Sequence, residues 1–189
     1  LFFERDFDGI RQGLSIGLCY LACLLFLDKR RPLVYNSVII CAFLIHYTAI
    51  LFFFIPLLSK LRLNKNTVIL VLLVAIILVL TNFDALKLIF DMIGANNILY
   101  DKMYSYTVSE DYSGKVGINL GLIFRIIILF LFIKYKEAIN IDEKCYNLLK
   151  NGFLLSILLS LIFSNIEILS HRLGYGLREF QIFIIPYLI

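Results

Sequence analysis

Long apolar runs recur along this chain, separated by short polar and basic clusters. Runs of this length suit helices that cross a ~30 Å hydrocarbon core. The pattern predicts spans over residues 10–27, 34–58, 67–80, 118–133, 152–166 and 180–189, the last one truncated. Residues 1–9 form a polar lead-in, and 134–150 a mixed-charge loop. Residues 81–117 make one long polar loop. Its first part, Asp84 to Ile93, has apolar residues at helical spacing and is expected to lie flat on the membrane surface. Ser156, Ser160 and Ser164 are spaced by four, a small-residue stripe suited to close helix packing. The alternating ten-residue segments of an outer-membrane barrel are absent from the sequence. The expected fold is all-α: a polytopic integral membrane helical bundle in a single transmembrane domain, with one long outward loop. The chain starts at Leu1 and stops inside an apolar run at Ile189, so it reads as an internal-to-C-terminal piece of a longer protein.

The stretch from 34 to 58 decides the topology. Basic clusters flank it, Lys29, Arg30 and Arg31 before and Lys60, Arg62 and Lys65 after, and His46 sits at its centre. As one crossing it leaves Lys and Arg divided 9 to 8 between the two sides, with no bias. As a hairpin turning at His46 it puts both basic loops beside residues 134–150. That side then holds ten Lys/Arg and four Asp/Glu, the other seven Lys/Arg and ten Asp/Glu, with Arg125 left in the membrane. The balance is +6 against −3, and the positive side is expected to be cytoplasmic. Length permits both readings, since twelve residues as helix reach about 18 Å and 25 residues about 37 Å. No Gly or Pro marks a turn at His46, and a turn within lipid must be shielded by protein.

Composition agrees with a membrane protein: 61% of the residues are hydrophobic, against about 45–50% apolar in soluble domains. The net charge of +4 is small and scattered, which gives no reason to expect nucleic acid. The four cysteines, Cys19, Cys23, Cys41 and Cys145, lack metal or disulfide spacing and read as buried apolar thiols.

Charged and polar residues inside apolar runs are the candidate chemistry. Arg125 lies mid-span, where an arginine faces a cavity, a structural ion pair or an anion. Arg11 opens the first span, and Arg172 and Arg178 flank Tyr175 in HRLGYGLRE. On one continuous helix, residues 172, 175 and 179 would share a face and 178 would lie one position off it. Each of these arginines reads as an interfacial anchor or as a phosphate clamp, for which a planar guanidinium is well matched. His46 reads as a satisfied core histidine, a general base or a hydrogen-bonding orienter. It is a poor metal ligand, because the only other histidine is His171 and no carboxylate has ligand spacing to either. Tyr104 and Tyr106 read as interface-belt residues or as platforms for sugar rings. Carboxylates such as Glu4, Asp6, Asp8, Asp84 and Asp91 offer candidate bases, and spacing selects none of them.

Several short motifs occur in a telling order. IRQGLSIG at 10–17 is followed by the basic DKRR, then FLIHYTAIL at 43–51 with the proline of FIPL, and much later HRLGYG at 171–176. This order resembles the EpsG-like branch of the bacterial Wzy-type polysaccharide polymerases. There an FRQxLA helix precedes an AxxxHx(S/T)AL segment and a late Arg-x-x-Tyr element. Ser15 replaces a commoner Ala and Thr48 a commoner Ser. The resemblance spans nearly the whole chain. It implies a glycosyltransferase of the integral-membrane C type in the bacterial cytoplasmic (inner) membrane. Such an enzyme polymerises undecaprenyl-pyrophosphate-linked oligosaccharide units into O-antigen, capsule or exopolysaccharide on the outer face. It implies no cofactor and no metal. It implies the lipid bilayer as its setting, with a chain-length regulator and a flippase of the same pathway as partners. By resemblance, Arg11, Arg125, Arg172 and Arg178 contact pyrophosphate, His46 orients or deprotonates the acceptor, and Tyr104, Tyr106 and Tyr175 touch sugar. A flippase or transporter for the same lipid-linked glycan is the main rival, and a ligase the second. The Gly/Pro-interrupted helix pairs of many transporters are scarce in this sequence.

Overall fold

The computed structural model describes residues 2–29, 32–84, 88 and 117–189; of residues 2–8, 29 and 168 it describes the backbone alone. Among the described residues all regular structure is helical. The α-helices are α1 Phe2–Lys29, α2 Pro32–Ile45, α3 Ile55–Leu58, α4 Lys65–Leu80, α5 Leu120–Lys134, α6 Glu143–Ile162, α7 Glu167–Arg172, α8 Tyr175–Arg178 and α9 Gln181–Ile184. Two 3₁₀ helices join them, Tyr47–Phe54 and Ile185–Tyr187. The surface segment and most of the 81–117 loop, with Tyr104 and Tyr106, lie outside the described residues.

Short polar side chains set the helix starts, because the first backbone N–H groups of a helix need acceptors. Asn64 accepts from the Thr67 N–H at 2.7 Å and opens α4. Asn119 accepts from the Leu122 N–H at 2.8 Å and opens α5. Asp142 accepts from the N–H groups of Lys144 and Cys145 at 3.0 and 3.3 Å and opens α6. The last cap alters the sequence reading. Residues 143–150 are the first two turns of α6 rather than loop, because a capped helix starts in polar sequence that an apolar run does not register.

Gly9–Asp28 and Glu143–Ile162 are long and apolar enough to cross a membrane. Large apolar side chains such as Leu14, Leu24, Leu44, Leu70, Ile77 and Phe124 stand exposed along the helices. Apolar surface on this scale suits a lipid environment, and the all-helical architecture agrees with a helical membrane protein.

The chain divides into two compact units. The first holds Leu1–Arg62 and Asn140–Gly152, the second Leu63–Ile139 and Phe153–Ile189. In the first, α1 packs along α2 around buried Cys19, Ala22, Ile39 and Ala42. In the second, Leu122, Leu129, Phe132, Ile157, Leu177 and Phe180 form the buried core.

Within the first unit the 34–58 stretch breaks and folds back. The α2 ladder ends at Ile45, and His46 is extended, with φ −152° and ψ 127°. The Tyr35 hydroxyl donates to the Phe52 carbonyl. Seventeen residues apart on a straight helix, these groups would lie about 25 Å apart. At the far end from His46, the Asn151 side-chain amide donates to the carbonyls of Leu58 and Leu61 at 2.8 and 2.7 Å. Nearby, Lys144 Nζ donates to the Phe26 carbonyl at 3.1 Å. The end of α1, the segment after α3 and the start of α6 therefore share one end of this unit.

Candidate functional site

The first unit builds a polar point around His46. A helix end leaves carbonyls without intrahelical donors, and α2 ends inside an apolar segment. α1 supplies side-chain donors to this end from one face, four residues apart. Arg11 Nη2 donates to the Ile45 carbonyl at 3.0 Å, and Ser15 Oγ adds a second donor, at 2.9 Å, to the Ala42 carbonyl, which also accepts from the His46 N–H at 2.9 Å. Ser15 is fully buried. A guanidinium also suits the negative end of a helix dipole. This is the protein shielding that the turn requires, and it explains how the chain breaks without Gly or Pro.

His46 starts the next helix. Its Nδ1 lies 2.8 Å from Thr48 Oγ1 and accepts from the Thr48 backbone N–H at 3.4 Å. A backbone N–H only donates, so Nδ1 is an acceptor and the neutral ring carries its proton on Nε2. The ring stacks on Tyr47 with centroids 4.6 Å apart, and the residue is buried. The sequence pointed to Arg11 and His46 separately. The structure brings them together, with Ser15 and Thr48 as supports.

The second unit holds the other group. Arg125 Nη1 donates to Ser160 Oγ at 3.2 Å and its Nε to the Gly121 carbonyl at 3.3 Å. Ser160 donates in turn to the Ser156 carbonyl at 3.0 Å, and Ser170 to the Ser160 carbonyl at 3.0 Å. The serine stripe thus carries an arginine as well as close packing. Arg125 also lies within electrostatic reach of Arg178 and Glu179. The Arg178 guanidinium sits 4.3 Å from the centre of the Tyr175 ring, and its Nε lies 3.3 Å from Glu179 Oε1. Arg178 and Glu179 are 24% and 20% exposed, dry enough for their charges to act at short range.

One helical face for residues 172, 175 and 179 is not what forms. α7 ends at Arg172 and α8 begins at Tyr175. Gly174 makes the interruption, its Cα pressed against α6 so that a Cβ there would meet the Ser156 carbonyl oxygen at 3.1 Å. The Tyr175 ring pairs with Arg178 instead, and Arg172 stays half-buried in the last turn of α7. Glu179 is the residue that sequence reasoning passed over as a candidate base. Its adjacency to Arg178 and Tyr175 was visible; its approach to Arg125 was not. Among the described residues, no group of three or more His, Cys, Asp or Glu has the arrangement to hold a metal ion.

These arrangements place arginine, histidine and tyrosine at or inside apolar segments. The EpsG family model matches residues 1–189. The chain belongs to the EpsG family. Membership gives this EpsG-family chain a polymerase-like role in polysaccharide biosynthesis. No curated protein matches the chain, and no solved structure matches it either.

Proposed function

We propose that the protein polymerises undecaprenyl-pyrophosphate-linked oligosaccharide repeat units into surface polysaccharide at the periplasmic or outer face of the cytoplasmic membrane. The observation that carries this reading is the family match over the whole chain. The placement of its arginines supports it.

The donor in such a reaction leaves as a lipid pyrophosphate. Negative charge grows on that group as the glycosidic bond breaks, and preplaced cations stabilise it. Arg11, Arg125, Arg172 and Arg178 are the proposed contacts. Arg11 also donates to the Ile45 carbonyl. Tyr175, stacked by Arg178, is the proposed sugar contact near its own unit's arginines. His46 is proposed to orient the acceptor through its Nε2–H; acting as a base would require its Nδ1 to be released from Thr48. Glu179 is a second candidate base.

Deletion of the gene tests the reaction class. A polymerase defect leaves surface glycan carrying a single repeat unit. A flippase or ligase defect leaves none, and either result overturns the proposal.

A further inference from the structure

In the second unit a carboxylate lies beside one arginine and within reach of another. Glu179 Oε1 is 3.3 Å from Arg178 Nε, and both residues act electrostatically on Arg125. Their places are fixed by the fold. Leu177 and Phe180, on either side of the pair in sequence, are fully buried. The Arg178 N–H donates to the Gly174 carbonyl at 2.8 Å, and the Glu179 N–H to the Tyr175 carbonyl at 3.2 Å. Directly after the pair, α9 packs on α5, the helix that carries Arg125.

Neither guanidinium is used up. Arg178 gives Nε to Glu179, and Arg125 gives Nε to Gly121 and Nη1 to Ser160. Among the described residues, nothing accepts from either Nη nitrogen of Arg178 or from Nη2 of Arg125. These nitrogens are open rather than sealed in, because Asn151 Oδ1 is the side-chain atom left both buried and unpartnered among the described residues. Glu179 therefore occupies Nε of Arg178 and leaves the Nη pair, a fork that matches two oxygens of a phosphate.

The charges favour an exchange of partners. Two guanidiniums in a half-dry apolar segment repel each other, and one carboxylate offsets only part of that repulsion. A pyrophosphate brings more negative charge and more acceptor oxygens than a carboxylate, so it displaces the carboxylate when it arrives.

We propose that Glu179 is a positioning residue that stands in for the anionic ligand. It holds Arg178 and Arg125 in place between turnovers and yields them to a lipid pyrophosphate. It takes them back as that group departs, which eases release of the product. This duty differs from that of a base, and it rests on the reading of these arginines as pyrophosphate contacts.

The test uses the full chain in phosphatidylcholine nanodiscs, titrated with farnesyl pyrophosphate and corrected against empty nanodiscs. Removing a competing carboxylate strengthens binding, whereas removing a packing contact or a base does not. Glu179→Gln and Glu179→Ala are each expected to bind about two- to fivefold more tightly than wild type, the worth of a partly exposed ion pair. The Ala variant has no amide that could itself donate to phosphate. Arg178→Gln is expected to weaken binding at least about tenfold, through loss of charge-assisted bonds. In that background Glu179→Gln is expected to gain little, because the carboxylate acts through Arg178. Unchanged or weaker binding in both Glu179 variants overturns the proposal and leaves the pyrophosphate reading in place. Tightening in the Gln variant alone marks a new amide contact and overturns it too. So does a gain that persists undiminished without Arg178. Binding by none of these proteins overturns the proposal and the pyrophosphate reading together.

Discussion

Arg11 and Ile45 are joined by a 3.0 Å hydrogen bond from a guanidinium nitrogen to a main-chain carbonyl, which lets a helix end in the middle of an apolar segment. The bond has a structural duty. Arg11→Ala is expected to lose about 1 kcal/mol at the turn and to shorten the polymer. Arg11→Lys keeps a donor for Ile45 but loses the planar fork. It should melt like wild type in detergent and still give short glycan on a gel. Full-length glycan from the Lys variant would leave Arg11 as a cap alone.

His46 is separable in the same way. It caps the 3₁₀ helix through Nδ1, a duty that Asn also performs well. His46→Ala is expected to cost about 1 kcal/mol of thermal stability. His46→Asn should restore most of that stability while elongation stays lost. Recovery of both together would make the imidazole a cap and nothing more.

For Arg125 the expected stability change has the opposite sign. An arginine at mid-span costs about 2.5–3.5 kcal/mol on insertion scales, whereas leucine is mildly favourable. Arg125→Leu is therefore expected to match or exceed wild type in membrane yield and melting temperature, with elongation abolished. A clear loss of stability would mean that the bonds to Ser160 and Gly121 serve packing.

Gly174 offers a test of the second unit. A Cβ there would lie 3.1 Å from the Ser156 carbonyl oxygen and 3.3 Å from its Cα, both backbone atoms. Gly174→Ala is expected to destabilise by about 1–3 kcal/mol, read as a drop in melting temperature. Ser156→Gly, which leaves that backbone in place, is expected not to rescue it.

Topology is checked by labelling. Lys60 and Glu143 are exposed at the same end of the first unit. In a background with the four native cysteines replaced, Lys60→Cys and Glu143→Cys are expected to react with an impermeant maleimide only after the cells are opened. Labelling of intact cells at either position would reverse the orientation.

What the sequence made legible is uneven, for physical reasons. Charge counting favoured a turn at His46 over a straight span, because loop arginines and lysines report on sidedness even where no turn residue is present. It gave no hint of how the turn is shielded, since Arg11 and Ser15 act from 34 and 27 residues away. The first two turns of α6 escaped notice because they are polar and only the Asp142 cap marks them. HRLGYGLRE was laid on one continuous helix, because a glycine within a helical pattern does not reveal the neighbouring backbone it will meet. Arg125 was conspicuous as a charge in an apolar run, while its partner Ser160 resembled ordinary packing.

The break at His46 also has an order in time. The carbonyls at the break accept from side chains that lie earlier in the chain, so a ribosome delivers Arg11 and Ser15 to the membrane before the broken segment emerges. The segment never has to wait in lipid for its donors. A permuted chain with α1 moved to the far end would reverse that order, leaving the Ile45 carbonyl without its Arg11 donor during insertion even though the finished molecule could make every one of the same bonds.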